Sequence, residues 1–251
     1  MKFNKMTLMI FKEWLACKLS GKSLDVRQTW VETPLKFETM TEYLNWFDTT
    51  DSVESTLRKA ELDWRHRFAS FPYFAKQKKS QALEIGFGGG RLLCQASRDF
   101  DHVYGVDIHR AFDMTREFLT SQGCENFDLV HRDDIGSIPD GSIDLIYSFI
   151  VFQHFDTMEE VDYYLNHIKR LLATDGIAHI YFGKNKGEGV KVTPTNMFTL
   201  RDCSLFIAPE LMREHLEKQF SVLEFRDSLP KDPTTDQGES GQAMVIFQNP
   251  K

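Results

Sequence analysis

The sequence has 251 residues and a formal net charge of −7, with 41% hydrophobic and 27% charged residues. A chain of this length can bury its own core without disulfide or metal staples. The acidic balance, with no clustered basic stripe, argues against a nucleic-acid partner. No window approaches the roughly 18 apolar residues of a membrane span, so no stable membrane association is expected.

Cysteine spacing and the N-terminal residues indicate the compartment. The cysteines are Cys17, Cys94, Cys124 and Cys203. They form no C-x-x-C pair, and no H-x-x-x-H or three-ligand cluster accompanies them, so no metal site is predicted. The apolar run Met6–Phe11 is too short for a signal peptide. We therefore expect reduced thiols in a cytoplasmic protein.

The first part of the chain is predicted to be a helical extension or cap. Three stretches, 6–19, 39–47 and 52–68, place apolar residues at helical spacing, with loop signals between them. The first of them is expected to pack onto its own domain, with a peripheral membrane-surface helix as the alternative. We divide the chain into this extension, residues 1–75, and a second domain, residues 76–251.

From residue 80 the pattern changes to short apolar runs alternating with helical stretches. The expected strands are Ala82–Ile85, His102–Val106, Phe127–His131, Ile143–Ser148 and Ile177–Phe182. The expected helices are Arg91–Ser97, Ala111–Ser121 and Met158–Leu172, with a later one at Glu210–Gln219. Strands that alternate with helices predict a parallel sheet. Two final strand-like runs, 220–225 and 242–248, have no helix between them and are predicted to pair antiparallel.

A glycine-rich loop, EIGFGGGR at 84–91, follows the first predicted strand. Ligands of open parallel sheets bind beyond the carboxyl ends of the strands, and a helix N-terminus there attracts polar or anionic groups. The dinucleotide fingerprint G-x-G-x-x-G needs a glycine where Arg91 stands, and no Lys-Ser/Thr pair completes a P-loop. A nicotinamide-dependent oxidoreductase is therefore the weaker interpretation. Arg91 itself is interpreted as a surface or helix-entry residue.

Acidic residues and apolar segments follow the loop along the chain. Asp107 ends the second predicted strand, and Asp133 and Asp134 end the third. The segments PDGSIDLIYSFIVFQHF at 139–155 and IKRLLATDGIAHIYF at 168–182 come next. Together with E-x-G-x-G-x-G, they resemble a class I S-adenosylmethionine-dependent methyltransferase over residues 80–183. The last strand-like run, GQAMVIFQNP, is similar to the final strand of that family.

The resemblance implies a fold and a cofactor. The fold would be α/β and Rossmann-like, with a seven-stranded, mostly parallel sheet that finishes in an antiparallel C-terminal strand pair. The cofactor would be S-adenosylmethionine, with S-adenosylhomocysteine as its product.

The resemblance also implies roles for individual residues. Asp107 would accept the ribose hydroxyls, and Ile108 would pack on the adenine. Asp133 would reach the adenine amino group, with the backbone N–H of Asp134 beside it. The other cofactor-binding residues implied are Glu84, Gly86, Phe87, Gly88, Gly90, Ser148 and Phe149. Each aspartate also has a structural interpretation, because acidic residues after strands often only begin a turn.

His154 lies just past the fourth predicted strand, where an acceptor should approach. In an in-line methyl transfer, much of the catalysis comes from aligning the nucleophile, the methyl group and the sulfur. An oxygen or nitrogen nucleophile can also need a base to take its proton. His154 is the candidate base and, with Gln153, a candidate substrate contact. A histidine that only holds the loop is the structural alternative. His109 is interpreted as a loop residue that does not face the acceptor.

The sequence thus predicts methyl transfer from S-adenosylmethionine to an oxygen or nitrogen of a small-molecule acceptor, such as a sugar or a natural-product intermediate. The residues SFIV at 148–151 lack the [D/N/S]-P-P-[Y/F] motif typical of base-amino methylation. The N-terminal helices and the segment 183–199 could close over the acceptor. The alternative is a non-catalytic module of the same fold that binds a protein partner. The acceptor and the oligomeric state are left open.

Overall fold

A computed structural model of the chain describes residues 26–192, 204–227 and 241–251. The predicted helix at 6–19 and the later part of the segment 183–199 lie outside these ranges. Within the described residues, no helix combines the length and the apolar character that crossing a membrane requires.

One sheet organises the described chain. Its strands are β1 (Gln81–Ile85), β2 (His102–Asp107), β3 (Phe127–His131), β4 (Ile143–Ser148), β5 (Leu172–Gly183), β8 (Ser221–Arg226) and β9 (Gln242–Gln248). They lie in the order β3-β2-β1-β4-β5-β9-β8. The pairs among β1 to β5 are parallel, whereas β9 is antiparallel to both β5 and β8. This confirms the predicted seven-stranded sheet and its antiparallel end.

A second, small sheet was not predicted. Strand β6 (Val190–Val192) pairs antiparallel with β7 (Leu205–Ile207), and an isolated bridge joins Lys184 to Ile207. These strands have three residues each, too few to show an alternating pattern in the sequence.

The described helices begin where local sequence favours it. They are α1 (Val26–Glu32), α2 (Met40–Asp48), α3 (Val53–Trp64), α4 (Pro72–Lys76), α5 (Arg91–Asp99), α6 (Phe112–Ser121), α7 (Met158–Leu171) and α8 (Pro209–Glu217). The hydroxyl of Thr157 accepts the backbone N–H of Glu160 at 3.3 Å and caps α7 at its predicted start. Gly123, just after α6, has φ +77°, as its predicted cap position requires.

The core has two sides because successive strand residues face opposite ways. Leu83 packs with α7 and α8 on one side of the sheet, and Ala82 packs with α5 and α6 on the other. Tyr43 and Leu44 of α2 and Trp64 of α3 belong to that second side. The described part of the extension therefore shares a core with the sheet, directly beside the glycine-rich loop.

Candidate active site

A cavity of about 440 Å³ opens at the carboxyl ends of β1, β2 and β4. This is the edge of a parallel sheet where ligands are expected. The predicted site residues on its wall are Glu84, Gly86, Phe87, Gly88, Asp107, Ile108, Phe149 and His154. The predicted residues outside its wall are Gly90, Asp133, Asp134, Ser148 and Gln153.

The glycine-rich loop needs its glycines for two reasons. Gly86 and Gly88 adopt φ values of +76° and +52°, in the left-handed region that side chains disfavour. A Cβ on Gly86 would also lie 2.3 Å from Cγ2 of Val151, and one on Gly88 would lie 2.9 Å from Cδ1 of Phe47. The loop thus runs between the segment after β4 and the end of α2, so the extension packs directly on it.

Buried side chains hold the loop from beneath. The carbonyl of Gly88 accepts hydrogen bonds from Nε2 of His109 at 3.1 Å and from the Thr115 hydroxyl at 3.3 Å. The Ala111 N–H donates to Nδ1 of His109 at 3.2 Å, so the ring proton resides on Nε2. Burial lowers the pKa of His109, which keeps the ring neutral. His109 therefore supports the loop, consistent with its predicted place away from the acceptor.

Asp107 stands beside the loop at the end of β2. Its Oδ2 accepts the N–H of Gly88 at 2.8 Å, and its Oδ1 accepts the N–H of Ile108 at 2.7 Å. Oδ1 also accepts the N–H of His109 at 3.3 Å, so both of its lone pairs are engaged and the remaining acceptor capacity is on Oδ2. Since Asp107 also lines the cavity, this capacity can receive a hydroxyl group of a ligand.

The segment after β3 turns its charged residues in different directions. Asp133 and Asp134 are exposed, and the side chain of Asp133 lies 3.3 Å from Nδ1 of His131. Arg132, the preceding residue, is buried and lines the cavity. Its Nη1 donates to Oε1 of Glu160 at 3.0 Å. Sequence reasoning missed this arginine, because the 3₁₀ turn at 132–137 separates neighbouring side chains.

The residues after β4 give the cavity a second wall. Ser148 is fully buried and donates to the carbonyl of Ile85 at 2.8 Å, so it ties β4 to β1. Phe149 and Ile150 line the cavity. Ile150 has φ +61°, a strained value for a β-branched residue. The backbone is thus held in an unfavourable conformation at the cavity wall.

His154 ends the short 3₁₀ turn Phe152–His154. Its ring lies 5.1 Å from the ring of Trp30 in α1, centroid to centroid, and both rings line the cavity. Gln153 is buried beside it, and its Oε1 accepts a hydrogen bond from Gln242 Nε2 at 2.5 Å. Its own Nε2 lies 3.4 Å from His154 Nε2. Gln153 therefore contacts His154 from outside the cavity.

Arg91 begins α5, as its helix-entry interpretation expected, but it does not lie on the surface. Its side chain is 8% exposed and forms ion pairs with Asp48 of α2 and Asp63 of α3. The distance from Arg91 Nη1 to Asp63 Oδ2 is 2.7 Å. The prediction of a surface residue was wrong because the partner carboxylates come from the extension, whose packing on this helix has no local signal.

Glu84 is a buried carboxylate on the cavity wall. The Tyr147 hydroxyl donates to its Oε2 at 3.2 Å. Burial raises the pKa of Glu84 well above its ordinary value, and the positive charge of Arg91 only partly opposes this effect. A cationic ligand group in the cavity would stabilise the ionised form.

No group of three or more His, Cys, Asp or Glu side chains in the described ranges could hold a metal ion. The charged side chains of the wall are instead five carboxylates and three cations. The carboxylates belong to Asp48, Glu84, Asp107, Asp156 and Glu160, and the cations to Lys59, Arg91 and Arg132.

Comparison with known proteins identifies the domain. Residues 83–180 match a family model described as a methyltransferase domain. The chain therefore carries a methyltransferase domain over these residues. No curated protein matches the chain in a sequence search. The predicted methyltransferase domain and enzyme class are confirmed over these residues.

Solved structures agree on the fold of this methyltransferase. The PH0226 protein from Pyrococcus horikoshii has 15% identity and a TM-score of 0.56, over 88% of this chain and 99% of its own. A 1,6-didemethyltoxoflavin-N1-methyltransferase from Burkholderia thailandensis has 15% identity and a TM-score of 0.58, over 87% and 88%. The CurJ carbon methyltransferase has 16% identity and a TM-score of 0.60, over 98% and 67%.

The residues present fit S-adenosylmethionine. The cofactor has a ribose diol, and Asp107 keeps acceptor capacity for a hydroxyl on Oδ2. The cofactor is also cationic at its sulfonium and its ammonium, and the wall holds five carboxylates. The bare backbone of the glycine-rich loop lets a ligand approach it closely.

Proposed function

We propose that this methyltransferase transfers a methyl group from S-adenosylmethionine to an oxygen or nitrogen of a small-molecule acceptor. The observation that carries the proposal is that Asp107 and His154 line one cavity. A volume of about 440 Å³ lies toward the small end of ligand sites, which run from roughly 300 to 1,000 Å³. Residues of the extension, Trp30 and Phe47, form part of its wall, which favours a small acceptor over a macromolecule.

Asp107, with Ile108 beside it, would hold the ribose and the adenine, and Glu84 and the loop from Gly86 to Gly88 would face the methionine half. The cofactor supplies a methyl group already activated on a sulfonium. The protein's part is therefore to align the acceptor with that group and to exclude water, which the aromatic wall favours.

His154 is suited to take a proton from the acceptor. The support for this role is that the imidazole lines the cavity, where an acceptor would approach, and that an imidazole nitrogen can take a proton near neutral pH. Acceptors of the sugar or natural-product kind carry hydroxyl or amino protons of this type.

Calorimetric titration with S-adenosylmethionine and S-adenosylhomocysteine tests the cofactor site. Asp107→Ala should weaken binding of both at least about 10-fold, because a charge-assisted hydrogen bond of about 1.5 kcal/mol or more is lost. Asp101→Ala is the matched control, since Asp101 is exposed and lies outside the cavity. Unchanged affinity in Asp107→Ala would remove Asp107 from the ribose site. A folded wild-type protein that binds neither compound would favour the non-catalytic alternative.

A labelled-methyl assay against a panel of small hydroxyl and amino compounds tests His154. His154→Ala should lower turnover roughly 10²- to 10⁴-fold, the contribution of a general base, while S-adenosylhomocysteine affinity changes little. His167→Ala, a histidine of α7 outside the cavity wall, is the control. Wild-type turnover in His154→Ala would return this histidine to a structural role.

A further inference from the structure

Asp48, the last residue of α2, has one carboxylate oxygen that the fold does not satisfy. Its Oδ1 pairs with Nε of Arg91. Its Oδ2 is buried, and no described residue donates a hydrogen bond to it. Although Arg91 pairs with the carboxylate, leaving its second oxygen buried without a hydrogen-bond donor is costly. Since Asp48 lines the cavity, a ligand can supply the missing donor.

The unsatisfied oxygen lies against the glycine-rich loop. A Cβ built on Gly89 would lie 3.6 Å from Asp48 Oδ2. Glu84, just before the loop, and Arg91, just after it, line the same cavity. Asp107 contacts the loop at Gly88 and faces the part of the cavity assigned to the ribose. Asp48 is therefore placed near the part of the loop assigned to the methionine half.

Positive charges accompany this carboxylate. Lys59 of α3 donates to the backbone carbonyl of Asp48 at 2.7 Å and lines the cavity. The Arg91 guanidinium lines it as well. A wall with carboxylates and cations side by side complements a zwitterion, in which an ammonium and a carboxylate share one carbon. The methionine half of the cofactor ends in such an α-amino acid group.

We propose that Asp48 accepts a hydrogen bond from the α-ammonium of the methionine half, while Lys59 and Arg91 face its α-carboxylate. This inference rests on the proposed function, because it needs S-adenosylmethionine in this cavity. It makes the extension a part of the cofactor site, although Asp48 and Lys59 lie outside the matched residues 83–180.

Two ligands isolate the contact. S-adenosylhomocysteine carries the amino acid group, and 5′-methylthioadenosine keeps the adenosine and the thioether without it. By calorimetry, Asp48→Asn should weaken S-adenosylhomocysteine at least 10-fold and change the affinity for 5′-methylthioadenosine less than about 3-fold, since a hydrogen bond to a charged group contributes about 1.5–3 kcal/mol.

Asp63→Asn is the matched control. Asp63 pairs with the same Arg91, so its substitution also weakens the buried ion pair, but it does not line the cavity. Asp63→Asn should therefore leave the ratio of the two affinities near the wild-type value. Asp48→Glu is a second variant that keeps the charge and displaces the oxygens. It should lower the affinity for S-adenosylhomocysteine selectively as well.

Equal losses for both ligands, or equal effects of Asp48→Asn and Asp63→Asn, would overturn the inference, because the effect would then come from packing. The inference would also be overturned if the wild type bound 5′-methylthioadenosine as tightly as S-adenosylhomocysteine, because the adenosine site would then account for the whole affinity. Failure of the wild type to bind either ligand would instead refute the proposed function, and the inference with it.

Discussion

Replacing Arg91 with methionine tests whether the buried ion pairs hold the extension on the domain. The side chains of Arg91, Asp48 and Asp63 are 8%, 8% and 11% exposed. Removing one partner from a buried ion pair costs about 3–5 kcal/mol, because the charge left behind has lost both water and its partner. Arg91→Met leaves two such carboxylates, so we expect the free energy of unfolding to fall by at least about 3 kcal/mol.

Urea denaturation of the ligand-free protein measures this loss. With a slope of about 2–3 kcal/mol per molar urea, the midpoint should fall by roughly 1–1.5 M. Arg58→Met is the matched control, because Arg58 pairs with Glu54 on the same helix, α3, where the side chains are 69% and 81% exposed. That surface pair should contribute less than about 0.5 kcal/mol.

The carboxylates account for most of the expected cost, so removing their charges should recover part of it. The triple variant Arg91→Met, Asp48→Asn, Asp63→Asn should unfold at a higher urea concentration than Arg91→Met alone. A loss below about 1 kcal/mol in Arg91→Met, or no recovery in the triple variant, would refute the argument that buried unpaired charge dominates at this contact.

Two further predictions concern the loop and Glu84. Gly86→Ala should lower the free energy of unfolding by about 1–2 kcal/mol for its left-handed backbone alone. Adding Val151→Ala should relieve only the clash with the new Cβ and not the backbone strain, so the two substitutions should be energetically coupled. A double-mutant cycle measured by urea denaturation that shows no coupling would contradict this. Because burial raises the folded-state pKa of Glu84, the folded protein holds a proton that the unfolded chain releases. Stability of the ligand-free protein should thus fall as the pH rises above 4.5 through that pKa. Glu84→Gln should flatten this dependence in unfolding curves across pH, and an identical slope in both proteins would exclude Glu84 as its source.

Local patterns in the sequence determined most of the sheet domain. Alternating apolar runs and helical periods predicted β1 to β5 and the helices between them, because burial on a strand or a helix face repeats over a few neighbouring residues. The glycine-rich loop was also predicted from local sequence, because a backbone with positive φ at Gly86 and Gly88 favours glycine at those positions. The family resemblance supplied Asp107, and the structure places it on the cavity wall beside that loop.

Tertiary structure alone decided what surrounds the loop. Arg91 was expected at a surface or helix entry, yet α2 and α3 bury it with Asp48 and Asp63. Adjacent residues also separate: Arg132 lines the cavity, and Asp133 next to it is exposed. Periodicity reports only whether a position is buried, not which distant charge lies against it. Partners such as Arg91 and Asp48, far apart in the chain, are decided only when the extension packs on the sheet domain.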